Sequence, residues 1–210
     1  MTLLRIDASI QGPRSAGSEL ADLVLAEVTA NRPEEPVVRR HLGEQPLPAE
    51  AWARAIAGGF ATGADRSPEQ AAAIGLARTL AAELSDADAA VLAFPLYNFG
   101  VSQHVKAWID LVFAGAEQGA RLLEGKPVVL VVTRGGAYGP GTPREGWDHC
   151  TDFLRRILVD LWGADLTVVE REFTLAGVNP ALAEFAELGA SLKADAEQAA
   201  SRAGKALASR

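Results

Sequence analysis

Ala93-Phe94-Pro95-Leu96-Tyr97-Asn98-Phe99-Gly100-Val101-Ser102 is the stretch on which the fold turns. An apolar run over residues 89–94 reads as a buried strand. It meets Pro95, which is expected to stop strand pairing because proline has no N–H to donate. Polar, aromatic and glycine residues follow, and a helix is expected from about Ser102. In an open α/β sheet, ligands sit just past the carboxyl ends of the strands. Tyr97, Asn98 and Phe99 therefore stand where a planar ligand would lie. Their aromatic rings can pack on such a ligand, and backbone N–H groups not yet tied into a helix can bond its edge.

Outward from this stretch, short apolar runs alternate with helix-like stretches. Strands are expected at 3–7, 36–41, 89–94, 128–133 and 166–171. Helical spacing of Leu20, Leu23, Val24 and Val28 marks a helix over 18–31. A Gly-, Pro- and Ala-rich loop covers 42–67, with a short helix expected at 50–56. Ser67-Pro68-Glu69-Gln70 opens the next helix as a serine cap with proline at the first position and Gln three residues on. Further helices are expected at 102–114, at 147–162 and from Asn179-Pro180 nearly to the terminus. Val129, Val131 and Val132 make the fourth strand apolar on both faces, as in the centre of a parallel sheet. The alternation implies an α/β fold: a flavodoxin-like, doubly wound, five-stranded parallel sheet in the order 2-1-3-4-5, helices on both faces, and residues 1–210 as one domain. The turn after the first strand holds neither GxGxxG nor GxxxxGK[ST], which disfavours a dinucleotide fold or a P-loop.

Composition narrows the function classes. A net charge of −7 with no basic stripe argues against a nucleic-acid partner. No apolar run approaches the roughly 18 residues needed to span a bilayer. Residues 1–7 lack the long apolar region of a signal peptide, and Cys150 is the sole cysteine, so the expectation is a cytoplasmic protein without disulfides, CxxC pair or metal site. His41, His104 and His149 bring no zinc-like ligand set with them.

Two further loops carry chemistry. Ser9, Ser15 and Ser18, with Gly17 between them and Arg14 nearby, surround the start of the first helix. A helix N-terminus offers free N–H groups and a positive dipole end, so this loop can hold a single phosphate, or the serines can serve as helix caps. After the fourth strand, Thr133-Arg134-Gly135-Gly136-Ala137-Tyr138 places adjacent glycines where a backbone can approach a ligand closely. These loops follow strands 1, 3 and 4, neighbours in the expected order. A phosphate site, a ring site and a backbone-donor site side by side fit a phosphorylated flavin.

Here the chain resembles the FMN-dependent NADH azoreductases and related NAD(P)H quinone oxidoreductases. The resemblance rests on Pro95-Leu96-Tyr97-Asn98-Phe99, Gln103, Lys106-Ala107-Trp108-Ile109-Asp110, Thr133-Arg134-Gly135-Gly136, the two serines Ser9 and Ser15, and the element order. It implies that Ser9, Ser15 and Ser18, around Gly17, hold the FMN phosphate. Pro95, Leu96, Tyr97, Asn98 and Phe99 would hold the ribityl chain and isoalloxazine, and Thr133, Arg134, Gly135 and Gly136, with Tyr138 nearby, the pyrimidine edge. It also implies a homodimer with active sites at the interface, and a two-step ping-pong cycle in which NADH or NADPH reduces FMN and a quinone or azo compound takes the electrons. The chain departs from the family pattern at Ser15-Ala16-Gly17-Ser18, where relatives carry Ser-x-Ser, and in a short segment at 117–125. The flavin itself carries the redox chemistry, so no protein acid or base is assigned. Alternatives are a flavin, nitro or tailoring reductase of the same fold, a flavodoxin-like electron carrier, and a scaffold that kept only the fold.

Overall fold

The computed structural model describes residues 1–61, 63 and 65–210; Thr62 and Ala64, in the Gly- and Ala-rich stretch read as a loop, lie outside the described residues. Three runs that are buried almost throughout, β1 (Leu3–Asp7), β3 (Ala89–Tyr97) and β5 (Pro127–Thr133), form the centre of a parallel sheet. β2 (Val37–His41) and β6 (Asp165–Arg171), both partly exposed, close its two edges. The order β2-β1-β3-β5-β6 is the expected 2-1-3-4-5 counted over the five long strands.

Because side chains alternate across a strand, each central strand feeds two cores. Leu4, Ile6, Leu92, Phe94, Leu130 and Val132 point to one face. That face is covered by α2 (Ala51–Phe60), α3 (Pro68–Asp86), α4 (Gln103–Gly115), and α5 (Thr151–Arg155) with the turn that continues it. Phe94, Trp108 and Trp162 stack edge to face at its centre, with ring centroids 5.7 and 5.6 Å apart. Leu3, Val91, Ala93, Val129 and Val131 point the other way, onto α1 (Ala16–Asn31) and α6 (Ala186–Ala208).

Several boundaries differ from the sequence expectation. β3 does not stop at Pro95: it runs to Tyr97, with Pro95 in register opposite Thr133. The Ala8 N–H bonds the Ala93 carbonyl, so odd-numbered residues of β3 turn toward β1. The missing N–H of Pro95 falls beyond Asp7, the last paired residue of β1, and costs no ladder bond. β3 then turns back antiparallel into a sixth strand, the two-residue β4 (Gly100–Val101). α1 begins two residues earlier than expected, because Ser15 caps it by accepting the Ser18 N–H at 3.1 Å. α2 extends to Phe60 rather than residue 56. The helix expected from Trp147 starts at Thr151, after Asp148 takes the Cys150 and Thr151 N–H groups, and it passes into a π-helical turn at Arg156–Leu161. Asn179-Pro180 opens a 3₁₀ turn (Pro180–Phe185), and α6 proper follows it.

Candidate active site

At the carboxyl edge of the sheet lies a cavity of about 1310 Å³. The loops after β1, β3 and β5 all reach it, as the alternation implied. Ser9, Gln11, Arg14, Ser15 and Ala16 line one side. Ser9 and Ser15 are themselves buried. Ala16 and Gly17 open α1, so their N–H groups have no intrahelical acceptor. With the dipole of the 16-residue α1 behind them, this corner is the electropositive end of the cavity.

Pro95, Leu96, Tyr97, Asn98 and Phe99 form a second wall. Asn98 and Phe99 both have positive φ, 48° and 70°, which is the type I′ geometry a two-residue turn between twisted strands requires. For the bulky Phe99 this conformation is strained, and neighbours hold it. The His149 N–H bonds its carbonyl at 3.0 Å, and its ring meets Tyr138 and Trp147 edge to face at 6.4 and 5.5 Å. The Tyr97 hydroxyl reaches across to the first loop, 3.3 Å from Ser9 Oγ.

Thr133, Gly135, Gly136, Ala137 and Tyr138 form the third wall. The carbonyls of Arg134, Gly135 and Gly136 accept N–H groups of Thr174, Leu175 and Phe173. Among the described residues, no acceptor is paired with the N–H groups of Gly135, Gly136 and Ala137. A row of unspent donors thus borders the cavity. The loop is anchored from beneath by Arg134, whose buried guanidinium bonds Asp148, Thr151 and Glu170, with Glu172 at 3.7 Å. Asp148 sits below its ordinary pKa. Burial pushes it up, but the Thr151 N–H and hydroxyl, the Cys150 N–H and Arg134 outweigh that. Beside it, burial and the Asp148 charge push the Cys150 thiol up to about 12.

Most of the residues singled out in the sequence meet at this cavity: Ser9, Ser15, Pro95, Leu96, Tyr97, Asn98, Phe99, Thr133, Gly135, Gly136 and Tyr138. Three do not line it. Ser18 donates its hydroxyl to Asp7 at 2.7 Å, Gly17 backs onto Thr133 and Ala93, and the Arg134 side chain points into its ion cluster. One wall went unread. Phe173, Thr174, Leu175, Val178, Leu182 and Phe185, after β6, close the far side. Their signal was positional: the carboxyl end of the last strand lies on the same edge as the other three. His104 also lines the cavity, whereas Trp108 and Trp162 are core residues.

The donor set fits a phosphorylated planar heterocycle. Hydroxyls, a guanidinium and helix N–H groups stand at one corner, backbone N–H groups border the third wall, aromatics lie between, and among the described residues no carboxylate lines the space.

Comparison with known proteins agrees. The model of the flavodoxin-like fold family matches residues 1–199. An FMN-dependent NADH:quinone oxidoreductase of Streptomyces avermitilis is 35% identical over 213 residues, covering 100% of this chain and 98% of the relative. A protein of the same description from Frankia alni is 37% identical over 202 residues, covering 94% of this chain and 95% of the relative. Among solved structures, a Bacillus anthracis FMN-dependent NADH-azoreductase in complex with FMN superposes with a TM-score of 0.74 at 17% identity, over 97% of this chain and 99% of that one, a likeness of fold. The strand order, the cavity at the carboxyl edge and these near-full-length matches lead to one assignment: the chain belongs to the FMN-dependent NADH:quinone oxidoreductase family, with a flavodoxin-like fold.

Proposed function

We propose that this protein binds FMN in the carboxyl-edge cavity and uses NADH or NADPH to reduce quinones, azo compounds or related aromatic acceptors. The observation that carries this reading is the convergence of three rim loops with complementary donors on one cavity large enough for a flavin and a second ring. The relatives described as FMN-dependent NADH:quinone oxidoreductases, matched end to end, and the azoreductase fold with FMN support it.

In this reading Ser9, Arg14, Ser15 and the first N–H groups of α1 hold the phosphate. Tyr97, Asn98 and Phe99 flank the ring and the chain that joins it to the phosphate. The N–H groups of Gly135, Gly136 and Ala137 meet the pyrimidine edge and stabilise negative charge there without reorganising. Arg134 touches neither cofactor nor substrate but fixes the loop that presents those donors. When bound, FMN supplies two-electron redox chemistry at N5, so the protein's part is binding, orientation and electrostatics. The chain acts as one FMN-binding domain. A homodimer with active sites at the interface goes with this reading, supported by the exposed apolar row Trp52, Ile56 and Phe60 on α2. A cytoplasmic location is supported by the free, buried Cys150.

The test is purification followed by a visible spectrum and an NADH oxidation assay with a small quinone and no partner protein. A flavin spectrum with quinone-dependent NADH consumption is expected. Flavin without turnover would make the protein an electron carrier instead.

A further inference from the structure

The chain has a net charge of −7, yet the charged residues that line its cavity are Arg14 and Arg144, with no Asp or Glu among them. Arg14 stands in the loop assigned to the phosphate. Arg144 stands on the opposite loop, and nothing so far accounts for it. Its guanidinium lies against Gly136: a Cβ built there would fall 2.9 Å from Arg144 Nη1. Gly136 thus leaves the space that the guanidinium occupies. The same group lies 5.7 Å from the centre of the Tyr138 ring, within cation–π range. Stacking leaves the edge N–H donors of a guanidinium free to bond an anion bidentately.

The acidic neighbours are committed elsewhere. Glu145 accepts the Gly141 N–H at 2.8 Å, and Asp148 and Glu172 are drawn to Arg134. Among the described residues, no carboxylate pairs with Arg144, whereas Arg134 on the same loop has three. Beside the same Gly135–Gly136 loop, Phe173 and Leu175, with Leu182 and Phe185, offer an apolar wall. A ligand spanning the two would be a flat apolar ring with an anionic substituent on one side.

The geometry points to Arg144 as the residue that selects acceptors by an anionic group, a carboxylate or sulfonate carried on an aromatic ring. This rests on the reading of the cavity as an acceptor site. The phosphates of the nicotinamide dinucleotide share that chemistry, and the experiment separates the two.

The test is equilibrium dialysis of the FMN-loaded protein, without reductant, against anthraquinone-2-sulfonate and the neutral 2-(hydroxymethyl)anthraquinone. Wild type is expected to prefer the sulfonate by about tenfold, the scale of one charge-assisted hydrogen bond. Arg144→Ala is expected to bring the ratio of dissociation constants to about one, and Arg144→Lys to keep part of the preference, since ammonium retains the charge but not the fork. A ratio unchanged in Arg144→Ala, or no preference in wild type, overturns the inference. So does loss of bound FMN in Arg144→Ala, which would assign the residue to the cofactor. A rise in the KM for NADH with the sulfonate preference intact also overturns it, assigning Arg144 to the dinucleotide. Turnover of the neutral quinone by wild type, measured alongside, tests the proposed function separately.

Discussion

The Tyr97 hydroxyl lies 3.3 Å from Ser9 Oγ and accepts the Ile10 N–H at 3.2 Å, so a residue at the end of β3 pins the loop that follows β1. Ser9 Oγ in turn accepts the Gln11 N–H at 3.1 Å. Two of the three rim loops are therefore fixed relative to one another before any ligand enters, which lowers the ordering cost of binding. Tyr97→Phe keeps the ring and removes the bridge. One net hydrogen bond is worth about 1 kcal/mol, so the FMN dissociation constant should rise about fivefold. Fluorescence titration of the apoprotein with FMN measures it; an unchanged constant would show the bridge to be idle.

Arg134 performs the same service for the third loop, at higher stakes. Its buried guanidinium joins Asp148, which caps α5, to Glu170 on β6. Arg134→Met strands the largely covered Asp148, while the half-exposed Glu170 stays hydrated, so the cost is that of one unsatisfied buried group, about 2 kcal/mol. A drop of that size in urea unfolding is expected, with reduced FMN affinity as the Gly135–Gly136 loop loosens.

The depressed pKa of Asp148 fixes the sign of a pH effect. A carboxylate held below its unfolded value of about 4 stabilises the fold above that pH and ceases to do so as pH falls through its folded value. Wild type should therefore lose more stability than Asp148→Asn between about pH 5 and about pH 3. Urea midpoints at several pH values for both proteins show it; parallel curves would remove Asp148 from the account.

Gly136 is needed for space. A Cβ there falls 2.9 Å from Arg144 Nη1, so valine displaces the guanidinium from its place beside the Tyr138 ring and adds bulk in a loop whose carbonyl is already tied to the Phe173 N–H. Gly136→Val should weaken FMN binding about tenfold, the scale of modest overpacking. Flavin content per chain after purification is the readout, and full flavin content would remove Gly136 from the site.

Cys150 should be chemically silent. Its thiol is buried and pushed up to about 12, so almost none is thiolate at neutral pH. Iodoacetamide should label it only after unfolding, as followed by mass spectrometry; rapid labelling of native protein would contradict the buried placement.

The sheet was legible because β3 and β5 are apolar on both faces and the caps at Ser67 and Ser102 use residue types with a clear mechanism. Pro95 misled because the rule against proline in a strand depends on which neighbour the missing N–H would face, and that is settled by the length of β1. The start of α5 was misplaced because Trp147 fits helical spacing, while the Asp148 cap that delays the helix depends on tertiary partners. In the site, the types of residue were readable but not their directions. Ser15 and Ser18 are alike in sequence, yet Ser18 turns to Asp7 and Arg134 turns into the fold.

The central claim is that one cavity grips a phosphorylated flavin. It is tested most directly by titrating the purified protein, stripped of any bound flavin, with FMN and with riboflavin, following flavin fluorescence. Saturable FMN binding at one site per chain, with riboflavin at least tenfold weaker for want of the phosphate held at Ser9, Arg14 and Ser15, is the expected result. Failure to bind FMN, or equal affinity for both, would contradict it.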